Sequence, residues 1–196
     1  VQEGNTSQML WSIDTLIKEV SQFFTLKIGD VIFTGTPAGV GPVDANDVLV
    51  APGCKQALLY AMMSCLNPGD EVILFAPAWP SYEGMLKLVG AVPVHVPVKR
   101  ENYHPDMEAT RAAINSKTKA MIINSPNNPT GAVYLPSEIE ELTQIANEND
   151  LWIFDDMIYS DLVYSKHPYT SPATYEGGKE RTLTIGGWSK IWAMTG

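Results

Sequence analysis

The chain has 196 residues, 45% of them hydrophobic and 18% charged, with a formal net charge of -9. That is the composition of a globular protein with a core, of a length for one domain or one and a fraction. The acidic balance excludes a surface built to grip phosphate backbones, so no nucleic-acid partner is expected. Two cysteines, Cys54 and Cys65, show no CxxC or metal-ligand spacing, which speaks against a disulfide framework and for a reducing, cytoplasmic setting. No apolar run approaches a membrane span, so no membrane association is expected. The three histidines, His95, His104 and His167, are scattered, and no metal site is expected.

In chain order, Thr6 and Ser7 are candidate N-caps ahead of a segment in which Ile13, Leu16, Ile17 and Val20 recur at helical spacing. Val31-Ile32-Phe33 reads as a short buried strand running into the Gly-rich stretch Thr34 to Gly41. From Val48 strands and helices alternate. Val48-Leu49-Val50 is the first expected strand, followed by the turn Pro52 to Lys55 and a helix with Ala57, Leu58, Ala61, Met62 and Cys65 inward. Asn67-Pro68-Gly69-Asp70 ends that helix, and Val72 to Phe75 is a buried strand. Tyr82 to Leu88 is expected as helix, and Val92 to Val96 as a strand whose Pro93 favours a sheet edge. Asp106 to Asn115 is helical, Ala120 to Ile123 a strand, Pro136 to Asn149 a helix. Leu151 to Phe154 and Thr182 to Ile185 are the last two strands. Strands separated by helices imply a mostly parallel sheet with helices on both faces, a three-layer α/β/α arrangement. Ligands of such sheets sit at the carboxyl ends of the strands.

The chemically suggestive residues cluster after those strands. The Gly53-Cys54-Lys55 turn opens a helix, whose free N–H groups and dipole suit a phosphate. Trp79 offers a flat face between Pro77 and Pro80. Asn127 to Gly131 is a rigid polar turn that can present the Asn128 amide. Asp156 and Tyr159 are three residues apart, so one helical turn would put them on one side. Ser189-Lys190 follows Gly186-Gly187, where glycine keeps the backbone thin beside a ligand. Taken singly, each has a plain structural reading: a strand-to-helix turn, a core aromatic, a tight turn, a helix cap, a solvated lysine.

In order and spacing, Pro52-Gly53-Cys54-Lys55-Gln56-Ala57, Pro77-Ala78-Trp79-Pro80-Ser81-Tyr82, Pro126 to Gly131, Asp156-Met157-Ile158-Tyr159 and Ser189-Lys190-Ile191-Trp192-Ala193-Met194-Thr195-Gly196 together resemble the class I/II, fold-type I aminotransferases. The resemblance covers residues 47–196 and implies a large-domain fragment, truncated where the family continues with Trp-Arg. It departs from the family at Met157, which stands where a glutamate is usual. It implies pyridoxal 5'-phosphate as cofactor, amino acid and 2-oxo acid as substrates, and a homodimer. Lys190 is implied as the catalytic Schiff-base lysine. Asp156 is implied at the ring nitrogen, Tyr159 and Asn128 at the phenolic oxygen, and Trp79 stacked on the ring. Gly53, Cys54, Lys55 and Ser189 are implied at the phosphate.

Residues 1–43 resemble a different family. Asn5 to Met9, Val20-Ser21-Gln22 and Gly29 to Gly41 look like fumarylacetoacetate hydrolases, in which the Thr-Gly-Thr-Pro-x-Gly-Val-Gly loop is implied to bind substrate beside a divalent metal. A junction is then expected at 44–46. A metal-dependent hydrolase fragment, or an inactive fusion or remnant, is the alternative expectation. Leu10, Trp11, Phe23, Phe24 and Phe33 would need apolar partners.

Overall fold

The computed structural model describes residues 48–194. The expectations for 1–43 and for the junction at 44–46 lie outside the described residues. Strands β1 (Glu71–Ala76), β2 (Val92–Pro97), β3 (Thr118–Asn124), β4 (Trp152–Asp156) and β5 (Thr182–Ile185) form one sheet in the order β2-β1-β3-β4-β5. Every neighbouring pair is parallel. The proline-bearing strand β2 lies at the edge, where Pro93 deprives no second neighbour of a donor.

Alternation along the strands divides the core into two. Val72, Leu74, Ala120, Ile122 and Phe154 pack with Leu58 and Met62 of α1 (Cys54–Cys65) and with Tyr82 and Leu86 of α2 (Ser81–Leu88). Ile73, Phe75, Met121, Ile123 and Ile153 pack with Ile139, Leu142 and Ile145 of α4 (Pro136–Glu148), and Ala109 and Ala113 of α3 (Met107–Ala113) lie against the same cluster. Among the described residues the fold is therefore the three-layer α/β/α arrangement, with two helices of the core clusters on each face. Central strands buried on both faces read as unbroken apolar runs, which is why β1 and β3 were visible as Val72 to Phe75 and Ala120 to Ile123.

Element ends follow local chemistry. Helix α3 is shorter than expected because Asp106 is its cap, its side chain accepting from Ala109 N–H at 3.1 Å. At α4, Pro136 occupies the first turn and the Glu138 carboxylate accepts from Leu135 N–H at 2.8 Å. Val48-Leu49-Val50 is not a strand. The triplet lies outside the sheet, with Val50 93% exposed, because a β-branched run has no ladder unless a free sheet edge runs beside it. Strand β4 extends two residues further than expected, through Asp155 and Asp156, which pair with Thr184 and Ile185 of β5.

Asp155 points away from Asp156, as alternation requires. Its Oδ2 accepts from Tyr169 (2.6 Å) and Ser171 (2.7 Å), pinning the segment after β4, while Oδ1 has no partner among the described residues. Burial raises the carboxyl from its ordinary 3.8 to about 6, against the pull of those two hydroxyls. The folded state thus holds a proton that the unfolded state releases. This contribution to stability is complete below 3.8 and is lost as pH rises through 6. Asp155→Asn keeps an acceptor and removes the titration. Relative to wild type it should gain roughly 3 kcal/mol between the acid and neutral ends of that window. Urea unfolding across the window checks this, and a pH-independent difference would refute it.

Candidate functional site

The sheet order reverses direction between β1 and β3, the position at which open parallel sheets form a crevice beyond their carboxyl ends. A cavity of about 320 Å³ lies there. Gly53, Cys54 and Lys55 line it from the start of α1, Trp79 and Tyr82 from the segment after β1, Asn124 and Asn128 from the end of β3 and beyond. Asp156, Ile158 and Tyr159 follow from β4, and Ser189 and Lys190 from α5 (Trp188–Ile191). All nine residues singled out from the sequence border this one cavity. They come from three strand ends, the helix after β5 and one helix start; the segment Val48-Leu49-Val50 ahead of Gly53 is not a strand.

Gly53 adopts φ 91°, a left-handed conformation that glycine accepts without strain and that turns the chain abruptly into α1. The first turn of α1 has neither a side-chain cap nor an acidic residue. Its leading N–H groups, on residues that line the cavity, therefore have no side-chain cap, and the helix dipole there favours an anion. Lys55 is exposed and holds its ammonium 5.1 Å from the Trp79 ring centroid. The indole is braced from the side by Tyr82, edge-on with centroids 5.2 Å apart and planes at 90°.

From Tyr82 a chain of hydrogen bonds runs along the cavity wall. Tyr82 OH donates to Asp156 Oδ2 at 2.5 Å, and Ile158 N–H donates to Oδ1 at 3.2 Å. Asn124 Nδ2 donates to the Asp156 carbonyl at 2.9 Å while its Oδ1 accepts from Asn128 N–H at 2.8 Å. The Asn128 side chain in turn donates to Tyr159 OH at 3.4 Å. One buried amide thus ties the ends of β3 and β4 together and sets the spacing between Asp156 and Asn128. Asp156 and Tyr159 share the cavity through a turn that opens with Ser160 N–H donating to the Met157 carbonyl, rather than through a helix.

Burial raises the Asp156 carboxyl above its ordinary range, opposed by the hydrogen bonds from Tyr82 and Ile158. No ion pair among the described residues involves Asp156. A buried carboxylate without a countercharge is costly on its own and suits a ligand bearing a positive N–H. Burial pushes the Cys54 thiol up to about 11, with Asp156 adding to the effect, so Cys54 is a neutral wall of the cavity at physiological pH.

The sequence reading passed over Tyr82 and Asn124 as site residues. Tyr82 stood in plain view, three residues after Trp79 in the Pro-x-Trp-Pro-x-Tyr stretch. Asn124 left a fainter sign, a polar residue ending an apolar strand. The reading of Gly187 changes too. Its φ of 178° suits any residue, but a Cβ there would stand 2.5 Å from Cys54 Sγ and 3.3 Å from Ile158 Cδ1. The thin backbone lets α5 close against the start of α1. Gly187→Ala should therefore destabilise the chain by roughly 1–3 kcal/mol, and adding Cys54→Ala should recover most of that. Urea midpoints of the two variants check this, and an equal loss in both would show that the clash is absorbed elsewhere.

The family described as aminotransferase class I and II matches residues 14–196. The aspartate aminotransferase of Musicola paradisiaca is 42% identical over 152 residues, 77% of this chain and 38% of that protein. The aspartate/prephenate aminotransferase of Thermus thermophilus is 43% identical over 155 residues, 79% of this chain and 40% of its own length. Among solved structures, the Thermus thermophilus aspartate aminotransferase with maleate superposes with a TM-score of 0.69 at 43% identity, over 72% of this chain and 37% of that one. The aromatic aminotransferase of Pyrococcus horikoshii gives 0.71 at 38% identity, over 73% and 38%. The chain spans about two fifths of the length of these curated relatives. The chain belongs to the class I and II aminotransferases.

Proposed function

We propose that the cavity at the β1/β3 crevice binds pyridoxal 5'-phosphate and that the protein transfers an amino group from an amino acid to a 2-oxo acid. The observation that carries this is one cavity lined by an uncapped helix start, an indole face, a buried carboxylate without a countercharge, an amide–phenol pair and a lysine amine. Those groups match a phosphate, a flat ring, a ring nitrogen, a phenolic oxygen and an aldehyde in turn.

When bound, the cofactor supplies an electrophilic aldehyde and a ring that accepts the electron pair released at the substrate α-carbon. The first-turn N–H groups of α1, with Lys55 and Ser189 beside them, hold the phosphate. Trp79 supports one face of the ring. Asp156 keeps a proton on the ring nitrogen by pairing with it. Asn128 and Tyr159 donate to the phenolic oxygen and fix the ring's rotation. Lys190 would be the amine that holds the cofactor at its aldehyde end and, as a free amine, would accept the proton released at the substrate α-carbon. Aspartate is the amino donor to try first, after the names of the relatives, and a homodimer in the cytoplasm is the assembly and setting that fits them. For residues 1–43 the hydrolase-like reading rests on the stretches Asn5 to Met9, Val20-Ser21-Gln22 and Gly29 to Gly41.

Titration with pyridoxal phosphate tests the reading. Tryptophan fluorescence should be quenched saturably, with a visible absorption band growing in step, and inorganic phosphate should compete. No saturation would end the cofactor reading for this chain. Amino transfer from aspartate to a 2-oxo acid is then assayed.

A further inference from the structure

We propose that Tyr82 is a positioning residue for Asp156, holding its carboxylate toward the ring nitrogen and so making the cavity select a ring with a protonated nitrogen over the same ring without one. This rests on the reading of the cavity as a pyridoxal phosphate site.

The geometry is a buried pair. Tyr82 is 2% exposed and Asp156 3%, with the hydroxyl 2.5 Å from Oδ2. The donor comes from α2 and the acceptor from the end of β4, so the bond joins a helix to the sheet across the cavity wall. The ring of Tyr82 is locked between Trp79, edge-on, and the apolar cluster of Leu58, Met62 and Leu86. Burial, and the negative charge of Asp156 next, push the Tyr82 phenol far above its ordinary value. It therefore remains a donor at every working pH and never competes for the proton. A permanent donor to Oδ2 and the Ile158 N–H on Oδ1 leave one lone pair on each oxygen for the ligand. Among the described residues, the other titratable groups around Asp156 are Cys54 and Lys55 from α1, Tyr159 after β4, Lys190 from α5, and, on the opposite side of the sheet, Asp155 and Tyr169. Among the described residues, Tyr82 is the side chain that donates to the carboxylate, beside the backbone N–H of Ile158.

The test is equilibrium titration of the 196-residue chain, wild type and Tyr82→Phe, with pyridoxal phosphate and with its 1-deaza analogue, in which a CH replaces the ring nitrogen. Tyr82→Phe keeps the ring in place and should weaken pyridoxal phosphate about tenfold, the size of one hydrogen bond to a charged group. Affinity for the deaza analogue should change less than about twofold. The pH below which pyridoxal phosphate affinity declines should move upward, since Asp156 loses a hydrogen bond that favours its charged form. In an Asp156→Asn background the same substitution should have no effect on either ligand. Tyr82→Met, without a donor, runs in parallel, with urea midpoints to show that both variants are folded. Equal weakening of both ligands would overturn the proposal and leave Tyr82 a cavity wall only; unchanged affinity for both would also overturn it. Failure of the wild type to bind pyridoxal phosphate, a distinct result, would remove the cofactor reading and this inference with it.

Discussion

Lys190→Ala should abolish covalent capture of pyridoxal phosphate. Wild-type chain incubated with the cofactor and reduced with borohydride should carry the pyridoxyl mass on the peptide containing Lys190. The variant should lose that label by more than about tenfold together with the visible band. The comparison is sharp because Lys55 is a second amine on the same cavity, 5.1 Å from the Trp79 ring centroid. Proximity alone would label both. Lys190 sits on α5 just after the last strand and beside Ser189, whereas Lys55 belongs to the helix start that is proposed to take the phosphate. Label shared equally between the two, or moving to Lys55 without loss in the variant, would sink the assignment of Lys190. Scattered label on surface lysines would mean that the cavity does not orient the aldehyde at all.

Asp156→Asn should change binding and stability in opposite directions. An amide cannot hold a proton on the ring nitrogen, and removing one member of a buried ion pair costs about 3 kcal/mol or more, so affinity for pyridoxal phosphate should fall by roughly a hundredfold. In the ligand-free chain the same substitution removes a carboxylate that burial already disfavours and that has no countercharge among the described residues. The variant should therefore resist urea better than wild type by about 1 kcal/mol. The gain should grow as pH rises, because the raised folded-state value makes ionisation of Asp156 a destabilising event. Loss of affinity accompanied by loss of stability would point to a structural role for Asp156 instead of a ligand-pairing one.

These two substitutions rest on residues visible in the sequence, and the reason is spacing. Asp156 and Lys190 each sit in a short stretch whose neighbours are local, Asp156 to Tyr159 and Ser189 to Gly196, as do the residues of Pro52 to Ala57, Pro77 to Tyr82 and Pro126 to Gly131. The strands β1 and β3 were legible because strands buried on both faces must be apolar throughout, and Thr182 to Ile185 of the edge strand β5 agreed at both ends. Helix α1 was legible from its inward stripe and its glycine start, and the edge position of β2 from Pro93.

What the sequence could not determine is everything that depends on partners distant along the chain. Val48-Leu49-Val50 is not a strand because no strand among the described residues pairs with it, which β-propensity does not report. The extension of β4 through Asp155 and Asp156 was decided by β5 and by Tyr169 and Ser171, because two adjacent carboxylates end a strand unless tertiary donors receive them. Tyr82 and Asn124 became site residues through bonds spanning 74 and 32 positions. Gly187 owes its identity to Cys54 Sγ, on a helix far earlier in the chain. Composition and short motifs determined which chemical groups this protein carries; only the parallel sheet, by reversing its order between β1 and β3, decided that they face one another, since hydrogen bonds and excluded volume act through space and not along the chain.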